Sequence, residues 1–333
     1  MSALATSLRQ IRARTDAVDR RLIALLVALL LVFGLLLGDR LFNPTSIRSM
    51  AFQLPELGIL SLAMMVALLS GGLDLSIIAT ANLVALTMAY IITTMMPADP
   101  GILWGVWQIV ALLAGLVVAL AIGALNGFVI AYLGVSPILA TLGSMTLIKG
   151  IAIGLTRGGI LSNFPQPIVF IGNGSLFGIP VVVLIFVVAA LLMSVVLGRT
   201  PFGQTLNMLG SNEAATRYSG VDTRRALIKV YMISSLLAAI AGVVMMARFN
   251  SANAAYGESY LLITILAAVL GGISPSGGFG KVGGLVLALV ILQLISTAFN
   301  LLDFSQFLTL AIWGGTLITV AAVARLRGSL GLS

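Results

Sequence analysis

Apolar residues fall along this chain in ten runs, at 22–38, 50–69, 74–96, 103–132, 137–156, 179–198, 228–247, 261–272, 283–301 and 307–324. A helix crosses the hydrocarbon core of a bilayer in about 20 residues, and there it has to satisfy its own backbone hydrogen bonds. Nine runs come close to that length or exceed it. The 261–272 run has only 12 residues, so it is expected to be re-entrant or broken, with its non-helical backbone buried in protein. The breaks carry turn chemistry: Met96-Pro97-Ala98-Asp99-Pro100-Gly101 and Arg199-Thr200-Pro201-Phe202-Gly203 both combine Pro with Gly. The pattern predicts an all-α polytopic membrane protein of about ten transmembrane helices with broken or re-entrant segments.

Composition removes the alternatives. Of 333 residues, 60% are apolar and 8% charged, whereas a soluble domain carries about 25% charged residues. The chain has no His and no Cys. That excludes thiolate zinc sites, imidazole metal clusters, disulfides and His-paired nucleophiles, and no metal or other cofactor is expected. The 18 basic residues are spread through an apolar chain, which reads as orientation charge and not as a nucleic-acid surface.

That charge fixes a topology. With the N-terminus inside and ten crossings, 13 basic residues lie inside and four, Arg40, Arg48, Arg157 and Arg248, lie outside, as the positive-inside rule requires. Residues 1–21, with Arg9, Arg12, Arg14, Arg20 and Arg21, form a basic cytoplasmic N-terminus. Residues 22–333 form a single transmembrane domain with a cytoplasmic loop at 199–227, and the C-terminus is also cytoplasmic. The first run ends in Leu-Gly-Asp-Arg, so it reads as a retained helix and not a cleaved signal peptide. Segments 22–156 and 179–324 share short matches: Ser70-Gly71-Gly72 with Leu270-Gly271-Gly272, and Thr146-Leu147-Ile148 with Thr316-Leu317-Ile318. Two five-helix halves joined this way are inverted relative to one another.

Gly278, Gly280 and Gly283 spell G-x-G-x-x-G. A dinucleotide site needs that pattern between a strand and a helix, and a P-loop needs Gly and Ser/Thr where Pro275 and Val282 stand. A tight turn with close helix approach is expected instead, and no ATP site. The pairs Gly34/Gly38, Gly123/Gly127, Gly150/Gly154 and Gly280/Gly284 suit close helix packing in lipid. Buried polar groups say more, since a charge at the bilayer centre costs at least about 2.5–3.5 kcal/mol. Glu56, Asp74, Asn82, Asn126 and Asn300 are candidates for a translocation pathway or for helix capping, with Lys149 and Gln293 beside them. Asp74, followed by Ser76 at a helix start, favours capping over solute contact. Lys149 is expected to snorkel or to pair with an acid.

The 199–227 loop is long and basic. Within it Ser211 or Asn212 is placed to cap a short helix, Glu213 stands in its first turn and four residues before Arg217, and Gly220 is placed to end it. Asp222 or Thr223 then starts the next helix. Here the chain resembles the permease subunits of bacterial ABC importers for ribose and related simple sugars. The resemblance is carried by Ser70-Gly71-Gly72-Leu73-Asp74-Leu75-Ser76, by Asn126-Gly127 with Ala140-Thr141-Leu142-Gly143, by the 210–220 loop and by the paired glycines of 267–284. It implies a second permease subunit (a copy or a paralogue), cytoplasmic ABC ATPase subunits, a periplasmic solute-binding protein and a multi-pass location in the bacterial inner membrane. It also implies that Gly210, Ser211, Asn212, Glu213, Ala214, Ala215, Arg217 and Gly220 form the ATPase-coupling element.

The chain departs from that family where Ile77-Ile78 stand in place of the usual Val-Gly, and where Leu261 and Ile263 stand in place of two acids. Two rival readings remain at this level. An ion-coupled secondary transporter would use Glu56 and Asp74 as its membrane acids; an intramembrane enzyme would need a catalytic constellation, which the sequence lacks. No deep, strongly polar pocket is expected in a conduit whose specificity resides in an external binding protein.

Overall fold

The computed structural model describes residues 2–97 and 101–329, with side chains for residues 18–97, 101, 103–305, 307–319 and 322. Its helices are α1 (Ser2–Leu37), α2 (Asp39–Phe42), α3 (Pro44–Leu69), α4 (Ile77–Tyr90, continued by a π-helical turn Ile91–Met95), α5 (Trp104–Ala131), α6 (Pro137–Thr156) and α7 (Gln166–Asn173). There follow α8 (Val181–Arg199), α9 (Pro201–Ser211), α10 (Glu213–Tyr218), α11 (Thr223–Phe249), α12 (Tyr260–Leu270), α13 (Val282–Leu301) and α14 (Gln306–Ser329). Two small ladders complete it: β1 (Leu161–Ser162) pairs with β4 (Ser251–Ala252), and β2 (Ser175–Leu176) with β3 (Ile179–Pro180). All ten apolar runs become helices, and among the described residues eight are long and apolar enough to cross a membrane. The chain is an all-α polytopic membrane protein.

The 261–272 run forms one short, uninterrupted helix of 11 residues. Helix α12 stops at Leu270, and a non-helical stretch turns back through Gly271 and Gly272 to α13. Helix α1 begins at Ser2, so the basic N-terminal segment continues the first spanning helix without a break. Helix α3 starts on Pro44, with Asn43 Oδ1 accepting from the Thr45 amide at 3.0 Å. From Pro55 to Leu69 every residue of α3 is buried, and α4 and α11 are the other largely buried helices among the described spans. Helices α5, α6 and α8 leave large apolar side chains such as Val117, Leu147 and Leu191 exposed, as a lipid-facing ring requires.

Packing around this centre is shared by helices from both parts of the chain. Helix α3 packs on α11, α12 and α13, and α11 packs reciprocally on α3, α4 and α5. Likewise α4 packs on α5 and α6, as α12 does on α13 and α14. A two-half arrangement would make α3 the counterpart of α11. Under that correspondence the two Gly-Gly motifs are not counterparts, since Gly72 follows the second helix of its half and Gly272 the third of the other. Their likeness comes from tight turns at one end of the bundle.

The small-residue pairs divide. A Cβ on Gly123 would lie 2.6 Å from the Tyr231 carbonyl oxygen, and one on Gly127 2.6 Å from Ile228 Cα, so this pair seats α5 directly on α11. Gly280 and Gly284 are similarly tight, against Ile273 and Gly271. Gly150 and Gly154 meet nothing within 4 Å; the close packing expected of them is not made within this chain.

Candidate coupling and translocation site

The 199–227 loop is helical through most of its length. Thr200 caps α9, its Oγ1 accepting from the Gly203 amide at 3.4 Å, with Pro201 at the first helical position. The sequence reading missed α9 because Gly203 and Gly210 hide its pattern. Asn212 is extended and its Oδ1 accepts from the Ala215 amide at 2.9 Å, so Asn212 and not Ser211 caps α10. Ser211 is the last residue of α9 and bonds back to the Asn207 carbonyl. Gly220, at φ +83°, ends α10 in the left-handed region. Asp222 caps α11 through the Arg225 amide at 3.0 Å. On α10 Thr216 is buried, whereas Glu213, Ala214, Ala215 and Arg217 are exposed and Tyr218 is 92% exposed. Glu213 and Arg217 form no ion pair among the described residues; an exposed pair gains too little to hold two long side chains in one geometry.

Gly210 ties this loop to the bundle. A Cβ there would run into the Leu69 carbonyl oxygen and the Gly278 nitrogen. One on Gly277 (φ +87°) would lie 2.7 Å from both Gly210 Cα and the Gly71 nitrogen. The Gly278 amide donates to the Leu69 carbonyl at 3.1 Å. The end of α3, the end of α9 and the 271–281 loop thus meet backbone to backbone, which is what the G-x-G-x-x-G stretch does here.

Immediately beyond this contact lies a buried polar cluster. Asp74 Oδ1 accepts from the Ser76 amide at 3.0 Å and the Ser76 hydroxyl at 2.6 Å, and its Oδ2 accepts from the Ser234 hydroxyl at 2.7 Å. Asn126 Nδ2 donates to Ser76 Oγ at 2.9 Å. Thr141 bonds to the Leu73 carbonyl, and the Tyr231 hydroxyl is buried without a hydrogen-bond partner among the described residues. Two sequence candidates, Asp74 and Asn126, therefore belong to one cluster joining the start of α4 to α5 and α11. Ser234 and Tyr231 completed it unnoticed, because hydroxyls are ordinary on membrane helices.

Glu56 lies apart from this cluster. Its Oε1 accepts from Arg248 Nη1 at 2.5 Å and from the Tyr260 hydroxyl at 2.6 Å, linking α3 to α11 and α12, while its Oε2 has no partner among the described residues. Gln293 bridges α13 to Gln53 on α3 at 3.2 Å. Asn300 is exposed near the end of α13 and contributes its backbone carbonyl to the turn at Asp303, not a side-chain bond between helices.

Asn82 takes a different position. Its Nδ2 donates to the Ala254 and Tyr256 carbonyls at 3.1 and 2.8 Å, pinning the loop between α11 and α12. Beside it is a cavity of about 170 Å³ lined by Ile78, Ala79, Asn82, Met145, Lys149, Ala254, Glu258 and Leu261. Lys149 pairs with an acid there, its Nζ 2.7 Å from Glu258 Oε1. Ile78 and Leu261, two of the departures noted in the sequence, both line this cavity.

The model of the family described as branched-chain amino acid transport system permease component matches residues 46–321. The chain is a permease of this family. The permease is 30% identical to the ribose import permease protein of Bacillus subtilis over 303 residues, 90% of this chain and 91% of that protein. It is 30% identical to the L-arabinose transport system permease protein of Escherichia coli over 301 residues, 89% of this chain and 88% of that one. It is 30% identical to the autoinducer 2 import system permease protein of Salmonella typhi over 305 residues, 90% of this chain and 89% of that one. No solved structure matches the permease significantly. The family description makes the permease one component of a transport system.

Proposed function

We propose that this permease is the membrane subunit of an ATP-driven importer in a bacterial inner membrane, and that it translocates a simple sugar of the pentose class or a related polyol. A periplasmic binding protein delivers the solute, and two cytoplasmic ATPase subunits drive the cycle. The observation that carries this reading is α10: a capped, exposed helix too small to fold alone, joined through Gly210 to the end of α3. Nucleotide binding and hydrolysis in the ATPases move α10. Gly210 passes that movement to α3 and to the 271–281 loop, and the segment that follows α3 leads through Asp74 to α4, α5 and α11. The permease needs no catalytic group of its own.

The basic residues around α10 and at both ends of the chain support a cytoplasmic position for α10 and for both termini. A second permease subunit fits the broad apolar groove on α6, lined by Leu139, Leu142, Gly143, Thr146, Leu147 and Gly150. The sugar class is supported by the ribose and arabinose relatives. The membrane acids an ion-coupled mechanism would use are buried and already hydrogen-bonded in Glu56 and Asp74.

The test is uptake of labelled ribose, L-arabinose and autoinducer 2 in cells with and without the permease, together with co-purification from native membrane. Permease-dependent uptake of a sugar and capture of an ATPase are the expected results. Uptake by the purified chain alone, driven by an ion gradient without ATP, would overturn the proposal.

A further inference from the structure

The cavity beside Asn82 is built from three separate parts of the fold: α4 (Ile78, Ala79, Asn82), α6 (Met145, Lys149) and the segment that enters α12 (Ala254, Glu258, Leu261). At about 170 Å³ it falls below the roughly 300–1,000 Å³ of sites that take drug-sized ligands, so it suits a small solute. Its walls are mostly apolar. Its polar groups are the Asn82 amide, whose nitrogen is committed to two loop carbonyls, and the Lys149–Glu258 ion pair. Side chains of that pair are 40% and 51% exposed, so the pair stands at the boundary between cavity and exterior. An exposed pair is weak and readily exchanged for other hydrogen-bond partners.

The pair also joins elements that belong to different halves. Lys149 rides on the last helix of the first half, and Glu258 on the loop leading into the third helix of the second. Asn82, Ser251 with Tyr256, and the β1–β4 ladder hold that loop in place independently. Breaking the pair therefore frees the mouth of the cavity without releasing the loop.

We propose that this cavity is the outer solute site of the permease and that Lys149–Glu258 is its gate. The solute is a small, uncharged molecule bearing several hydroxyls. A hydroxyl accepts from the Lys149 ammonium, another donates to the Glu258 carboxylate, and the C–H face of the solute rests on Ile78, Met145 and Leu261. The ion pair is thereby replaced by solute contacts, and neither charge is left without a partner. The chemistry of the solute rests on the importer reading above; the gate does not.

The chain lacks Cys, so a single Ala79→Cys variant in the assembled importer reports access to the cavity. A membrane-impermeant thiol reagent is added from outside, and the rate of labelling is followed. Labelling is expected to be slow with the native pair, several-fold faster in Lys149→Gln, and slow again in the charge-exchanged Lys149→Glu/Glu258→Lys pair. Equal rates in all three would overturn the gate, whatever the importer carries. In the second arm ribose and L-arabinose are the probes. The sugar that cells accumulate through the permease is expected to slow labelling of the single Ala79→Cys variant, in which Lys149 and Glu258 are both intact. Failure of an accumulated sugar to protect would overturn the solute site, whereas failure to accumulate either sugar would count against the importer's sugar class and leave the gate result standing.

Discussion

The Asp74 carboxylate and the Ser234 hydroxyl, 160 positions apart in the chain, meet at 2.7 Å in the buried interior. This bond joins the segment after α3 to the middle of α11, and so one half of the permease to the other. Asp74 has no cation beside it among the described ion pairs, so it depends on hydroxyl and amide donors. Ser234→Ala removes one donor and leaves a buried carboxylate oxygen short. The expected loss is about 1–3 kcal/mol, read as a lowered thermal transition of the purified permease in detergent. An unchanged transition would show that this bond does not hold the halves together.

Gly210→Ala should act differently. The added methyl group collides with the Leu69 carbonyl and the Gly278 nitrogen, both backbone and unable to step aside. The spanning helices are expected to insert normally while uptake and solute-stimulated ATPase activity fall together. Gly283→Ala is the control within the same glycine-rich stretch, since nothing lies within 4 Å of its added methyl. If both variants transport normally, backbone contact at Gly210 is not the route of coupling.

At Glu56 the test is a cycle. Arg248→Met leaves a buried acid without its cation, for an expected cost near the lower end of about 3–5 kcal/mol because Arg248 is partly exposed. Combining it with Glu56→Gln should recover part of that loss. Thermal unfolding of the two single variants and the double variant gives the coupling energy directly, and strict additivity would mean the pair is not felt.

Tyr218 projects from α10 almost fully exposed, and large aromatic side chains in such positions anchor protein interfaces. Tyr218→Ala is expected to leave stability within about 0.5 kcal/mol of the original and to abolish co-purification of the ATPase. Glu213→Lys should weaken the same association. Retention of the ATPase by both variants would place its docking surface elsewhere.

The open face of α6 makes a separate prediction. Gly150→Trp adds bulk where nothing lies within 4 Å, so the fold should survive it. A shift of the detergent-purified permease from dimer to monomer on sizing is expected. An unchanged oligomer would remove α6 from the interface.

The all-α polytopic class, the short run before α13 and the capped α10 were legible in the sequence because each rests on a local rule: span length, turn residues or capping chemistry. Partner choice was not. A leucine facing lipid and one facing a neighbouring helix have the same hydropathy, so nothing in the pattern says that α3 and α11 are buried while α5 and α8 face outward. Asp74 and Asn126 could be singled out as costly polar groups, but Ser234, which completes their cluster, looks like any membrane hydroxyl. Lys149 could be expected to find an acid; that the acid is Glu258 depended on how the loop after α11 folds back. Helix α7 gave no signal of its own in the sequence, since its eight residues are too few for a periodic pattern. It packs its Gly172 against the end of α11, and Asn173 bonds the last carbonyls there.

Because the contact at Gly210 is made by backbone, it has no side-chain compliance. Helix α3, whose end it grips, has 26 residues, a rod of roughly 39 Å at 1.5 Å per residue. A tilt of only about 5° at the gripped end then sweeps the opposite end through roughly 3 Å. Under the coupling proposed above, α3 would work as a lever, turning a small stroke at one face into a larger one at the other.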